Sequence, residues 1–166
     1  MSFHSILVAV DGSRHSDMAL AHAIELARDG NARLTILTAT PSPPGVALSG
    51  PAAAGVAATA AGIEQDFGEI LREAVDRVPD DLPVTTVHAS GPPAQAILSE
   101  VERGDHDLIV MGSRGLGLAR ALMGSVSHRV LRHAPSAVLI VHAEGGPDAD
   151  APETAGQAGR GASVSR

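Results

Sequence analysis

Short, nearly continuous apolar runs alternate along this chain with longer stretches in which apolar positions recur every three or four residues. Five runs predict strands: Ile6–Val10, Arg33–Ala39, Val84–His88, Leu108–Met111 and Ala137–Val141. The first, fourth and fifth are apolar almost throughout, as strands covered by helices on both faces are, whereas Val84–His88 is more polar and predicts an edge. Ser16–Arg28 predicts a helix with Ala19, Leu20, Ala23, Ile24 and Ala27 on one stripe, stopping at Asp29-Gly30. Ile63, Phe67, Ile70, Leu71, Ala74, Val75 and Val78 trace the apolar face of a second, with acidic residues and arginines on its other faces. A third helix begins at Pro92-Pro93, where a fixed φ suits the first turn, and ends by Gly104; a fourth runs from Ser125 to Ala134, ahead of Pro135. Strands and helices in strict alternation predict an α/β fold built on a mostly parallel sheet.

Two stretches break this rhythm. Thr40 to Gly62 carries Pro41, Pro43, Pro44 and Pro51 among Gly, Ala and Ser and reads as a long loop, of a length usually functional or disordered. From residue 143 to 166 Gly, Ala, Ser and acidic residues dominate without periodicity, which predicts a disordered tail behind a folded unit of residues 2–142.

Composition narrows the chemistry. The chain of 166 residues has a formal net charge of −7, its 12 basic side chains are all Arg, and it contains no Lys, Cys, Trp or Tyr. Disulfide and thiolate chemistry, a Schiff-base lysine, Cys-ligated zinc and a P-loop are therefore excluded. Negative charge and only two aromatics, Phe3 and Phe67, argue against nucleic-acid binding and against base stacking on an aromatic platform. No run approaches the ~18 apolar residues of a membrane span and no charged n-region precedes Ile6, so a soluble cytoplasmic protein with no membrane partner is expected.

In an open parallel sheet, ligands collect at the carboxyl ends of strands, where the strand order reverses. Two predicted strand ends carry suitable residues. The first runs into Asp11-Gly12-Ser13; the fourth runs into Gly112-Ser113-Arg114-Gly115 and on to Gly124-Ser125 at a helix start. Glycines admit close backbone approach to phosphate oxygens, and a helix N-terminus offers unpaired N–H groups. Ser125 and Ser127 add hydroxyls, Arg114 and Arg120 add positive charge, and Asp11 is placed to accept from a ribose hydroxyl or help hold a phosphate-bound metal. The bland alternatives are a simple turn at Asp11-Gly12 and a simple N-cap at Ser125. Gly115-Leu116-Gly117-Leu118-Ala119-Arg120 begins like a dinucleotide fingerprint, but Arg120 stands where the third small residue is needed, and the segment follows the fourth strand. Ser-Val-Ser-His at 125–128 has no orienting acid for hydrolase chemistry. The eight histidines show no paired metal spacing, and most read as surface or helix-end residues.

Ile6-Leu7-Val8-Ala9-Val10-Asp11-Gly12-Ser13, Gly91-Pro92-Pro93-Ala94, Asp107-Leu108-Ile109-Val110-Met111-Gly112-Ser113-Arg114-Gly115, Leu122-Met123-Gly124-Ser125-Val126-Ser127 and Ala134-Pro135-Ser136-Ala137-Val138-Leu139-Ile140-Val141 together resemble the universal stress protein family over residues 2–142. The resemblance implies a Rossmann-like, open five-stranded parallel sheet of order 3-2-1-4-5 and a homodimer through the last strand, Ala137 to Val141. One branch of that family binds ATP through two glycines two residues apart, nine residues, then a glycine followed by Ser or Thr. Here Gly112, Gly115, Gly124 and Ser125 are present, but eight residues separate Gly115 from Gly124, a difference that a tighter turn at Gly117 would absorb. Carried over, the resemblance places Asp11 at the ribose and phosphates and the Ala39 backbone at the adenine edge. Gly112, Gly115, Gly124, Ser125 and Val126 fall around the phosphates, Met111, Arg114 and Ser127 complete the expected nucleotide site, and Mg²⁺ is expected to arrive on the nucleotide and touch Asp11. Thr38-Ala39-Thr40 departs from the family's usual His-Val pair, which a backbone contact tolerates. The expected function is a stress-response regulatory protein that binds ATP and hydrolyses it slowly at most. The alternatives are a metal-dependent phosphohydrolase or nucleotidyl-transfer enzyme using Asp11, and a dimer scaffold that has lost nucleotide binding.

Overall fold

Ile6, Leu7 and Val8 are fully buried because their strand lies in the middle of the sheet with helices on both sides. The computed structural model describes residues 2–41, 51–115 and 123–143, with 51–58 described by backbone alone. The strands are β1 (Ser5–Ala9), β2 (Arg33–Thr40), β3 (Val84–Ser90), β4 (Leu108–Gly112) and β5 (Ala137–Val141), and the helices are α1 (Arg14–Gly30), α2 (Pro51–Asp76), α3 (Pro93–Gly104) and α4 (Ser125–His133). All neighbouring strands are parallel, in the order β3-β2-β1-β4-β5. Val8 sits between Ile36 of β2 and Val110 of β4, which fixes the register of the central three strands.

Successive side chains of a strand point to opposite layers, and the core divides accordingly. Ile6, Val8, Leu34, Ile36, Leu108 and Val110 pack against Ala19, Leu20, Ala23 and Ala27 of α1 and Ala74 of α2. Leu7, Leu37, Ala39, Ile109 and Met111 pack against Ala94, Ile97 and Val101 of α3 and Val130 of α4. The chain thus leaves β1 toward one layer, through α1, and leaves β4 toward the other, through α4. That divergence opens a crevice between the two strand ends.

Several boundaries differ from the sequence reading for local reasons. Helix α2 begins at Pro51, so 51–62 is helical where the sequence predicts a loop; Pro is accepted in a first turn, and the alanine-rich segment behind it has high helix propensity. The remainder of that expected loop, 42–50, lies outside the described residues, as do 116–122, with Gly117 and Arg120, and the expected tail from 144 onward. Ala143, which the sequence pattern assigns to the tail, is buried. Helix α1 includes Gly30, and the left-handed residue that ends it is Asn31, at φ 48°. Strand β1 closes at Ala9, although Val10 N–H still donates to Leu37 O at 2.9 Å. The polar strand β3 is an edge, as its pattern predicts.

The opposite end of the sheet is closed by polar ties. Asp107 accepts from His4 N–H (2.8 Å) and Ser5 N–H (3.1 Å), and His106 Nδ1 lies 2.8 Å from Ser5 Oγ in a buried pair. His106 Nε2 is buried without a hydrogen bond, 3.8 Å from Glu100 of α3, which also pairs with Arg103. Among the described residues, no helix is long and apolar enough to cross a membrane.

Candidate functional site

After β1 the chain turns through Asp11-Gly12-Ser13 into α1. Asp11 Oδ1 accepts from Ser13 N–H at 3.0 Å, and Asp11 N–H donates to Ser16 Oγ at 3.3 Å. Ser13 caps α1 by accepting from Ser16 N–H. Gly12 has φ +78°, a left-handed conformation that favours glycine, and a Cβ there would lie 3.0 Å from Ile70 Cδ1 of α2. The turn is therefore set by backbone shape and by α2 pressing on it, and it holds the Asp11 carboxylate at the mouth of the crevice.

After β4, Gly112 allows the strand to meet α1: a Cβ on it would sit 2.7 Å from His15 Cβ and 2.8 Å from the His15 carbonyl carbon. Ser113 is buried, its N–H donating to Val141 O at 2.8 Å and its Oγ lying 2.7 Å from His142 Nδ1. The start of α4 is tied back to this strand end. Gly124 N–H donates to Ser113 O at 2.8 Å, and Ser127 Oγ donates to Gly112 O at 2.9 Å with Ser113 O at 3.3 Å. Gly124 is the N-cap residue and supplies no side-chain cap, so Ser125 is the first helical residue, and the first N–H groups of α4 lack the acceptor that a capping side chain would give them.

Between these two strand ends lies a cavity of about 340 Å³. It brings together every residue that the sequence singles out, by the family resemblance, for the nucleotide: Asp11, Ala39, Met111, Gly112, Arg114, Gly115, Gly124, Ser125, Val126 and Ser127. One correction concerns Ser127, whose hydroxyl donates to the β4 carbonyls and so fastens α4 to the sheet; it is not a spare donor facing the cavity. The sequence reading also missed part of the wall. Pro41, Phe67, Pro93 and Ile97 line the cavity from β2's exit, α2 and α3. Pro93 and Ile97 carry only their helix-start and core signals in the sequence, and Phe67 reads there as one more position of an apolar helix face.

Charge in the cavity is sparse. Among the described residues lining it, Asp11 is the one carboxylate and Arg114 the one cationic side chain. Arg114 Nε is buried with no hydrogen-bond acceptor. His15, on the α1 side of the same strand end, stacks edge-on against His142 with ring centroids 5.4 Å apart. Burial pushes the His15 imidazole pKa down, Arg114 and His142 push it further, and Asp11 acts in the opposite direction. Among the described residues, no group of three or more His, Cys, Asp or Glu is placed to hold a metal. A second groove of about 520 Å³ lies between β3 and α3, and there His88 Nε2 lies 2.7 Å from Thr40 Oγ1 and Arg103 pairs with Glu100.

An open sheet of order 3-2-1-4-5 with a glycine-lined crevice at the carboxyl ends of β1 and β4 defines a doubly wound α/β protein with its pocket at the topological switch point. The profile of the universal stress protein family matches residues 2–142, and the chain belongs to that family. Universal stress protein YxiE of Bacillus subtilis is 33% identical over 148 residues, spanning 84% of this chain and 99% of the relative. Among solved structures, universal stress protein UspA from Lactobacillus plantarum is 25% identical with a TM-score of 0.65, covering 85% of this chain and 99% of its own. A universal stress protein solved in complex with cAMP is 28% identical with a TM-score of 0.54, covering 86% and 98%.

Proposed function

We propose that this protein binds an adenine nucleotide, ATP with Mg²⁺, in the crevice between β1 and β4 and acts in the cytoplasm as a regulatory protein that reports nucleotide occupancy. The observation that carries this reading is the convergence of Asp11, the Gly112–Gly115 turn and the uncapped N-terminus of α4 on one cavity. Backbone N–H groups and helix dipole at that N-terminus suit phosphate oxygens. The residues fit such a group: Arg114 Nε is a buried donor lacking an acceptor, and Gly124 leaves open space, since a Cβ there would meet nothing closer than 3.6 Å. The cAMP complex of a relative 28% identical supports an adenine ligand.

In this arrangement Asp11 faces the ribose and phosphates, and the Ala39 backbone meets the adenine edge. Gly112, Arg114, Gly115, Gly124, Ser125 and Val126 enclose the phosphates, and Met111 lines the apolar floor. Ser127 acts through the strand it holds. Mg²⁺ arriving with the nucleotide would neutralise phosphate charge, and Asp11 would be its protein ligand; one carboxylate plus phosphates is a usual Mg²⁺ environment. A single carboxylate and no lysine favour holding the nucleotide over splitting it. Occupancy would be read by a homodimer formed through β5, an apolar edge strand whose Leu139 is 37% exposed.

The chain has no Trp or Tyr, so co-purified adenine would dominate the near-ultraviolet absorbance. Calorimetric titration of the nucleotide-stripped protein with ATP and Mg²⁺ gives the direct test. Saturable one-site binding is expected, and absence of both co-purified nucleotide and titratable ATP binding would overturn the reading.

A further inference from the structure

We infer that Phe67 is the residue that recognises the base, packing its ring against a flat heteroaromatic group at the apolar end of the cavity. The inference rests on the adenine-nucleotide reading of that cavity and adds to it a specificity-determining side chain from α2.

Helix α2 carries its apolar positions at regular spacing, and Ile70, Leu71, Ala74 and Val75 all join the core beneath it. Phe67, one turn earlier on the same face, belongs to neither core cluster. It is half-buried and lines the cavity with Ala39, Pro41, Pro93 and Ile97. The helix that carries the ring is held against the start of α1. Ile70, three residues on, packs on Gly12, and Arg77 Nη1, just past the end of α2, donates to Asp17 Oδ1 at 2.7 Å. Phe is rare in this chain, with only two present, and among the described residues this ring joins neither core cluster. The glycines, Arg114 and Ser125 come from the β4 to α4 side; Ala39, Pro41, Phe67, Pro93 and Ile97 form an apolar wall from β2's exit, α2 and α3, and Ala9, Val10, Met111 and Val126 lie between the two. A ligand with an anionic end and a flat, apolar-faced end suits the two parts. A face contact between a base and an aromatic ring contributes enough to change affinity several-fold or more on truncation to Ala, and needs no hydrogen-bond partners.

The test uses full-length protein, with calorimetric titration by ATP and, as a base-free probe of the phosphate end, tripolyphosphate competing against ATP. Phe67→Ala should weaken ATP at least about five-fold and leave the tripolyphosphate constant unchanged. Phe67→Trp introduces the chain's sole tryptophan; this variant should bind ATP within about two-fold of the parent, with its indole emission quenched on saturation. Parent-like ATP affinity in Phe67→Ala, an equal loss for ATP and tripolyphosphate, or unquenched indole emission from the Phe67→Trp variant when saturated with ATP would each overturn the inference. The Phe67→Trp arm stands if the Ala variant does not fold. Failure of the parent protein to bind ATP is a different result: it removes the nucleotide reading itself and the base contact with it.

Discussion

Asp11 and Gly115 face each other across the crevice so closely that a Cβ on the glycine would overlap Asp11 Oδ2. The other oxygen of that carboxylate is engaged by Ser13 N–H, at the start of α1, so the group cannot simply swing toward the helix. Gly115→Val should therefore displace Asp11 and obstruct the cradle together, lowering ATP affinity at least about ten-fold, or roughly 1.4 kcal/mol. Thermal unfolding should be little changed, because residue 115 is exposed and outside the core. Parallel calorimetry and melting curves check both halves.

Gly124 provides the complementary case. A Cβ at this position meets only ordinary contacts, 3.6 Å from Arg114 Cα and Ser113 O, and its φ of −70° is open to any residue. Gly124→Val is expected to stay within about 0.5 kcal/mol of the parent in urea unfolding, while ATP affinity falls at least about ten-fold. Unaltered affinity would show that the N-terminus of α4 does not approach the phosphates.

Gly112 should respond in the opposite sense. Its neighbours at 2.7 and 2.8 Å are the Cβ and backbone of His15, so a methyl group requires α1 to move away from β4. Gly112→Ala is expected to lower unfolding free energy by about 1–3 kcal/mol with the urea m-value unchanged, as overpacking of a tight contact does.

Ser127→Ala removes a buried donor shared by the carbonyls of Gly112 and Ser113. Loss of about 1 kcal/mol in urea unfolding is expected. Hydrogen exchange should rise at Gly124, whose own N–H holds Ser113 O from the same turn.

The buried end of the sheet gives a pH signature. Burial lowers the His106 pKa below its unfolded value of 6.5, with Glu100 acting against the shift and Arg33 with it. The native state therefore favours the neutral ring, so its contribution is complete above pH 6.5 and is lost as pH falls through the lower folded value. His15 is shifted in the same direction and adds to the slope. Asp107 is also lowered, burial opposing and the His4 and Ser5 N–H bonds prevailing, so its contribution is present above about pH 3.8 and is lost on further acidification. Urea midpoints should be level from about pH 8 to 7 and decline below about pH 6.5, and His106→Gln should flatten the part of that decline that belongs to His106.

The sheet is readable from the chain because β1, β4 and β5 are almost continuously apolar, β2 keeps an apolar centre, and β3 is visibly polar. Ala137–Val141 is strand β5 with both ends as expected, and Pro93 opens α3. The first turns of α2 are not readable, since Pro51 through Ala61 is rich in alanine and has no alternation of polar and apolar faces; helix propensity, not periodicity, specifies them. Asp11 and the glycines could be found because adjacent residues at a strand end share one neighbourhood. Phe67 could not, because its spacing matches the core face of α2, and only the position of that helix relative to the sheet edge shows that its ring has passed beyond the core. Ser127 carries the signal of a surface donor for a similar reason: whether its hydroxyl turns to a phosphate or to a carbonyl depends on how close α4 lies to β4.

The divergence of α1 and α4 into opposite layers has a mechanical side. A molecule that grips both Asp11 and the start of α4 spans two layers joined at this end of the sheet chiefly through the strands, and it acts as a rivet through the fold. Its grip exists only while both layers are assembled, so each tenfold rise in free ligand above the dissociation constant should add about 1.4 kcal/mol to the resistance of the whole domain to unfolding.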